Sequence, residues 1–129
     1  MGRYKKLFLL LSFWLLVITI LTLSIIPGAI TELDQKELLS LRLDYLLHAI
    51  AYTALSFTGK ISLKFKKQVF LAGFLVLFAI ITEFLQLVLP WRAFNYVDMI
   101  SNVIGVFAGL GLGYLLKPSL QRFLDINGL

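Results

Sequence analysis

The sequence predicts an all-α integral membrane protein, a bundle of four transmembrane helices with both termini in the cytoplasm. Three observations lead to this class. The 129 residues are 60% hydrophobic and 15% charged, with a mean hydropathy of +0.92, a balance typical of membrane proteins. Several apolar runs are long enough to cross a bilayer. The basic residues fall mainly on one side of these runs if there are four crossings.

The same composition limits the chemistry and the partners. The chain has no cysteine, which excludes disulfides, iron–sulfur clusters and thiolate zinc sites. Its net charge of +5 would favour nucleic acid in a soluble protein, but here the basic residues are spread over short segments between apolar runs. We therefore predict no nucleic-acid partner and a single domain over residues 1–129.

The first predicted helix covers residues 7–26, an uncharged run that spans about 30 Å as a helix. The basic segment MGRYKK precedes it, so a cleaved signal peptide is the alternative. The run is longer than the usual signal-peptide core and no A-x-A site follows, which favours an uncleaved anchor. Pro27 and Gly28 are predicted to end this helix.

Two further spans are clear and one is weak. Residues 69–89 form an apolar run that ends at Pro90, and residues 98–116 form another that ends at the sequence KPS. Residues 43–59 are less apolar and on hydropathy alone suit a re-entrant or interfacial segment as well. Residues 117–129 are predicted to be a short interfacial tail.

The basic residues decide in favour of a fourth crossing at residues 43–59. If this segment crosses, nine of the twelve Lys and Arg residues lie on the side of the two termini. The positive-inside rule then places that side in the cytoplasm. The localisation that follows is a multi-pass membrane protein with both termini in the cytoplasm.

Polar residues interrupt three of the four predicted spans, and this topology places all of them in the outer half of the bundle. They are Asp44, His48 and Tyr52 on the second helix, Glu83 and Gln86 on the third, Arg92 in the following loop, and Asp98 and Asn102 on the fourth. Spacings of three and four put each set on one helix face. Because an isolated carboxylate in hydrocarbon is costly, we predict that these faces meet around an outer-leaflet pocket.

Most of these residues also have an ordinary structural interpretation. Asp98 follows Asn95 by three, as in a helix-capping pair, and Arg92 beside Trp91 suits an interface anchor. Asn102 could form a hydrogen bond between helices, and Tyr52 could be a packing residue. A structural ion pair of Glu83 with Arg92, or of Asp44 with His48, is a further alternative. For His48 and Glu83 we favour function, because ionisable groups within the membrane are most often functional.

The fourth predicted helix carries a face of small residues at Gly105, Gly109 and Gly113. Glycines at intervals of four allow another helix to approach closely. Asn102 lies on the same face, as an inward polar cluster requires. The face is also a candidate surface for a homo-oligomer.

The chemistry of the polar cluster favours binding. His48 and Glu83 are candidate general acid–base residues. His48, Glu83 and Asp98 make a weak metal set, since the chain has one histidine and lacks the spacing of a zinc motif. We therefore predict no metal and no cofactor. An arginine and a histidine beside carboxylates suit a phosphate or carboxylate headgroup that also bears an amine or hydroxyl.

The motifs themselves resemble those of VanZ-like membrane proteins. DYLLHAIAYTAL matches their D-x-x-x-H-x-x-x-Y element, and EFLQLVLPWRAFNYVDMISNVIGVFAG is similar to E-x-x-Q followed by R and D-x-x-x-N-x-x-G-x-x-x-G. The resemblance covers residues 20–116. Tyr45 stands where many members have Lys, and Trp91 stands where Gly often precedes the Arg.

The resemblance implies a polytopic bacterial membrane protein related to one associated with teicoplanin resistance. The implied site residues are Asp44, His48, Tyr52, Glu83, Gln86, Arg92, Asp98 and Asn102. The expected function is binding of an amphiphilic envelope molecule, either a lipid-linked cell-wall precursor or a phospholipid headgroup, with modulation of glycopeptide sensitivity. A membrane enzyme acting on a lipid headgroup and a small transporter or channel subunit are the alternatives.

Overall fold

The chain folds into four helices, described in a computed structural model over residues 2–26, 37–38, 41–63, 65–92 and 94–124. The elements are α1 (Gly2–Ile25), β1 (Glu37–Leu38), β2 (Leu41–Arg42), α2 (Leu43–Ser62), α3 (Gln68–Leu87) and α4 (Tyr96–Leu124). The two short strands pair antiparallel, with Glu37 opposite Arg42. The predicted all-α class is confirmed.

Within the described residues, three helices are long and apolar enough to cross a membrane: Tyr4–Ile25, Gln68–Leu87 and Tyr96–Leu116. Their outward surfaces carry large apolar side chains, among them Phe8, Ile18, Phe74 and Phe107, all of which are exposed. Soluble proteins rarely expose apolar surface on this scale. The chain is therefore a membrane protein by its helices, whereas the fourth crossing remains a prediction for α2.

The helix ends differ from those predicted from hydropathy. Helix α1 begins five residues before the predicted start, because Arg, Tyr and Lys continue a helix readily. Helix α3 ends at Leu87, and Val88 and Leu89 bond back to the carbonyls of Leu85 and Gln86 in a tighter turn that leads into Pro90.

The prediction that the fourth helix ends at the sequence KPS is wrong. Helix α4 continues through Pro118 to Leu124, because a proline removes one intrahelical hydrogen bond while the residues after it remain compatible with a helix. The first part of the predicted tail is thus helical. The predicted stop at Pro27 and Gly28 and tail residues 125–129 lie outside the described residues.

The closest packing in the bundle is between α2 and α4, and glycine makes it possible. A Cβ added at Gly105 would lie 2.4 Å from the carbonyl oxygen of Ala49, and one at Gly109 would lie 2.2 Å from that of Thr53. At Gly113 it would lie 2.6 Å from Cγ of Lys60. The predicted close approach of another helix is confirmed. The contacts advance in the same direction on both helices, so α2 and α4 run parallel.

This packing also bears on the glycine face as an oligomer surface. Within the chain, α2 covers Gly105, Gly109 and Gly113. A homo-oligomer through these glycines would need the face to be free. An oligomer of this conformation would have to use another surface.

The centre of the bundle combines an apolar core with buried polar groups. The core side chains come from all four helices and are Phe13, Ile20, Tyr52, Leu55, Leu71, Leu75, Ala79 and Val106. Helix α1 packs on α2 where the Phe13 ring lies 3.0 Å from the position of a Cβ on Gly59. Asp44, Glu83 and Asn102 are at most 2% exposed, so these polar side chains lie inside the bundle.

A candidate ligand site between the helices

Three helices meet at a hydrogen-bonded network formed by His48, Asn102 and Glu83. The Nδ1 atom of His48 lies 2.8 Å from Oδ1 of Asn102. The Asn102 amide nitrogen donates to Oε1 of Glu83 at 2.8 Å, and His48 Nδ1 is 3.7 Å from the same oxygen. The polar faces predicted for the second, third and fourth helices do come together in these three residues.

The bonding pattern fixes the chemistry of the histidine. Because Oδ1 of Asn102 can only accept a hydrogen bond, Nδ1 of His48 must carry the proton. In the neutral ring, Nε2 is then the acceptor. Asn102 thus holds the imidazole in one tautomer while its amide nitrogen binds the Glu83 carboxyl group.

One oxygen of Glu83 remains without a partner. Glu83 is 1% exposed, and its Oε2 atom has no hydrogen-bond partner among the described residues. No Glu83–Arg92 ion pair is formed within the described chain. A buried carboxyl oxygen in this state is stabilised by a donor from a ligand or a water molecule.

Glu83 lines a cavity of about 260 Å³, which we call the main cavity. Its lining comes from α1, α2, α3 and the following loop: Ile20, Leu23, Ser24, Leu47, His48, Ala51, Tyr52, Glu83, Gln86 and Arg92. The α1 and α2 residues supply the apolar wall, and polar side chains from α2, α3 and the following loop complete it. Such a cavity suits an amphiphile, with an apolar part against α1 and a polar part at Glu83.

The predicted site residues divide into two groups. His48, Tyr52, Glu83, Gln86 and Arg92 line the main cavity. Asp44, Asp98 and Asn102 are buried but are not part of its described lining. The described contacts of His48 are with Asn102 and Glu83, so the alternative Asp44–His48 pair is not formed.

The helix-capping interpretation of Asn95 is correct. Its side-chain oxygen accepts a hydrogen bond from the Val97 backbone N–H at 3.0 Å, as expected of an N-cap residue. Asp98 then occupies the third position of α4, where a carboxylate favours the positive end of the helix dipole. A structural role thus accompanies any role of Asp98 toward a ligand.

Arg92 and Trp91 make contacts that the sequence analysis did not anticipate. The guanidinium group of Arg92 donates to the carbonyl oxygen of Leu23 at 2.5 Å, and the Trp91 indole donates to that of Ile25 at 2.9 Å. Both satisfy carbonyl groups that the end of α1 leaves unpaired. A helix that ends just before Pro27 must find such donors, and this requirement is the signal that could have pointed to the contact.

Thr82 is a buried polar residue that the sequence analysis missed. Its hydroxyl donates to the Ala79 carbonyl oxygen at 2.9 Å, so the Tyr52 hydroxyl, 2.5 Å away, donates to Thr82. This bond fixes the Tyr52 side chain that lines the cavity. Thr82 precedes Gln86 by four residues, and this spacing on the polar face of α3 would have identified it.

The described residues contain no group of three His, Cys, Asp or Glu side chains arranged to hold a metal ion. The class that the fold and the site define is an all-helical membrane protein with a buried polar network beside an apolar cavity. Comparisons with protein families, with curated proteins and with solved structures give no match for this chain.

Proposed function

We propose that this chain is a VanZ-like protein of the bacterial cytoplasmic membrane, with four crossings and both termini in the cytoplasm. The parallel packing of α2 on α4 supports the fourth crossing. Contacts continue from Ala49 to Lys60, a rise of about 16 Å along α2. If α4 crosses the bilayer, α2 must pass through much of the same depth. The main cavity then lies in the outer leaflet.

The proposed function is binding of an amphiphilic envelope molecule in the main cavity. The observation that carries it is the buried Oε2 atom of Glu83, which has no partner in the described chain and lies at the wall of an otherwise largely apolar cavity. A donor on the ligand, an amine or a hydroxyl, would satisfy this oxygen. Its acyl or prenyl chain would contact Leu23, Leu47 and Ala51.

This chemistry fits two kinds of molecule, a lipid-linked cell-wall precursor and a phospholipid with an amine or hydroxyl in its headgroup. Arg92 also lines the cavity and would attract the phosphate that both carry. Sequestration or exposure of such a precursor in the outer leaflet would change sensitivity to glycopeptide antibiotics, including teicoplanin. That link rests on the resemblance of the motifs.

Filling the cavity tests whether it binds a lipid. The protein is extracted with its native lipids and bound molecules are counted by native mass spectrometry. Ala51→Phe places a ring in the cavity, whereas Ala108→Phe adds the same ring on the exposed surface of α4. We expect the retained lipid to disappear in the first variant and to persist in the second. Equal retention in both variants, with both correctly folded, would contradict the proposal.

A lipid-headgroup hydrolase is the second candidate, favoured by the fixed tautomer of His48. With Nδ1 protonated, Nε2 could accept a proton from water as that water attacks a headgroup ester. The ester bond would break and the proton would pass to the departing alcohol. Incubation of the purified protein with membrane lipids should then release a water-soluble headgroup, and His48→Gln should abolish release. Unchanged lipid in both samples would support binding alone.

A further inference from the structure

A second cavity lies at the opposite end of the bundle from Glu83. It has a volume of about 250 Å³ and is lined by Lys60, Gln68, Val69, Ala72, Leu110 and Tyr114. We call it the Lys60 cavity. Gln68 precedes Glu83 by 15 residues on α3, which separates the two cavities by about 22 Å along that helix.

The main feature of this cavity is a buried lysine. Lys60 is only 7% exposed, although lysine is among the residues least often buried. Its stem lies against Gly113, where a Cβ would come within 2.9 Å of the Lys60 Cβ. Its Nζ atom donates to Oε1 of Gln68 and lies 5.9 Å from the centre of the Tyr114 ring. Gly113 and Tyr114 thus hold the charge at the cavity.

The surrounding groups favour an anion. Because Oε1 of Gln68 accepts from Lys60, the amide nitrogen of Gln68 adds donors to the same cavity. Gln68 is also the first residue of α3, and the N-cap residue Lys67 makes no side-chain cap there. The first N–H groups of a helix attract negative charge when no side chain caps them.

The remaining lining is apolar. Val69, Ala72 and Leu110 complete the cavity, and the neighbouring side chains of Val69 and Phe70 are exposed on the outer surface of α3. A free phosphate ion gains nothing from such a wall. A lipid would place its phosphate at the ammonium group and its glycerol and acyl carbons against these residues.

We propose that the Lys60 cavity binds the phosphate of an anionic membrane lipid. The site is independent of the main cavity and of its ligand. In the four-crossing topology it faces the cytoplasmic leaflet, which is rich in anionic lipids. The lipid would hold the ends of α2 and α3 against α4.

The test uses the full chain purified in detergent and incubated with equal amounts of phosphatidylglycerol and phosphatidylcholine. Native mass spectrometry counts the bound lipids. We expect one phosphatidylglycerol to be retained, and Lys60→Met to reduce its occupancy by about tenfold or more, since charged hydrogen bonds are lost. Lys66→Met removes an equal charge from an exposed position outside the cavity and should leave occupancy unchanged.

A second variant tests the proposal independently of whether Lys60→Met folds. Gln68→Glu keeps Lys60 and the shape of the side chain but places a carboxylate in the cavity, which should exclude phosphatidylglycerol to a similar extent. Equal losses in Lys66→Met and Lys60→Met would contradict the proposal, and so would equal retention of phosphatidylcholine. Displacement of the bound lipid by millimolar inorganic phosphate would also contradict it, because it would identify a site for the free anion. Ala51→Phe leaves this binding intact, which separates it from the main cavity.

Discussion

At the scale of single residues, Asn102 links two ionisable side chains that belong to other helices. Its oxygen accepts from His48 and its nitrogen donates to Glu83. An amide is the side chain that can do both at once in a fixed direction. Leucine has a similar volume and can do neither.

We expect Asn102→Leu to lower the free energy of unfolding by about 1–2 kcal/mol, the typical worth of hydrogen bonds between membrane helices. Ser101→Ala removes a polar group at the adjacent position and should change it by less than about 0.5 kcal/mol. Unfolding of the purified variants in mixed detergent micelles measures both. If the two variants were equally stable, the hydrogen-bonded network would not contribute to the stability of the bundle.

At the scale of elements, the packing of α2 on α4 depends on backbone contacts that no side chain larger than hydrogen permits. The Cβ position at Gly109 lies within 3 Å of Thr53, Ser56 and Phe57. In contrast, a Cβ at Gly111 on the same helix meets nothing within 4 Å. The two glycines therefore form a matched pair for substitution.

Gly109→Ala should lower the free energy of unfolding by about 1–3 kcal/mol, because the two helices must separate to accept the methyl group. Gly111→Ala should raise it by about 0.5–1 kcal/mol through its higher helix propensity. The same unfolding assay in detergent compares the two. Equal effects of the two substitutions would mean that α2 does not pack on this face of α4.

Much of the element structure could be predicted from the sequence, for reasons that particular residues illustrate. Long apolar runs predict helices, and the spacing of Gly105 and Gly109 predicts a close contact with another helix. Both predictions are confirmed. The continuation of α4 through Pro118 could not be foreseen from hydropathy. Hydropathy indicates which residues suit the bilayer, whereas a helix ends where its backbone hydrogen bonds end. The two ends need not coincide.

The site could be predicted in part. The spacing of polar residues along each helix identified the faces that carry His48, Glu83 and Asn102. These faces meet in the structure. The apolar wall contributed by Ile20 and Leu23 could not be found this way. An unbroken apolar run has no distinguished face, so its contacts are determined by packing alone.

At the scale of the whole molecule, the fourth crossing determines which end of the bundle faces outward. If α2 crosses, the end with Val88 lies outside and the end with Lys66 lies inside. If α2 stays at the surface, the remaining three crossings reverse both positions. The chain has no cysteine, so single introduced cysteines report these positions without background.

We expect a membrane-impermeant maleimide to label Val88→Cys in intact cells and to label Lys66→Cys only after permeabilisation. Both side chains are exposed in the structure, so access depends on the side of the membrane alone. The reversed pattern, with Lys66→Cys labelled in intact cells, would mean that α2 does not cross.

The central claim is that the buried carboxyl group of Glu83 binds the headgroup of an amphiphile. Native mass spectrometry of wild-type protein extracted with its lipids, compared with Glu83→Gln, tests it most directly. The substitution keeps the shape of the side chain but removes its charge, and Ser101→Ala serves as the control. We predict a defined lipid on wild-type protein whose occupancy falls by about tenfold or more in Glu83→Gln, as expected when a charged hydrogen bond is lost. The same lipid at the same occupancy in the folded Glu83→Gln variant would contradict the claim.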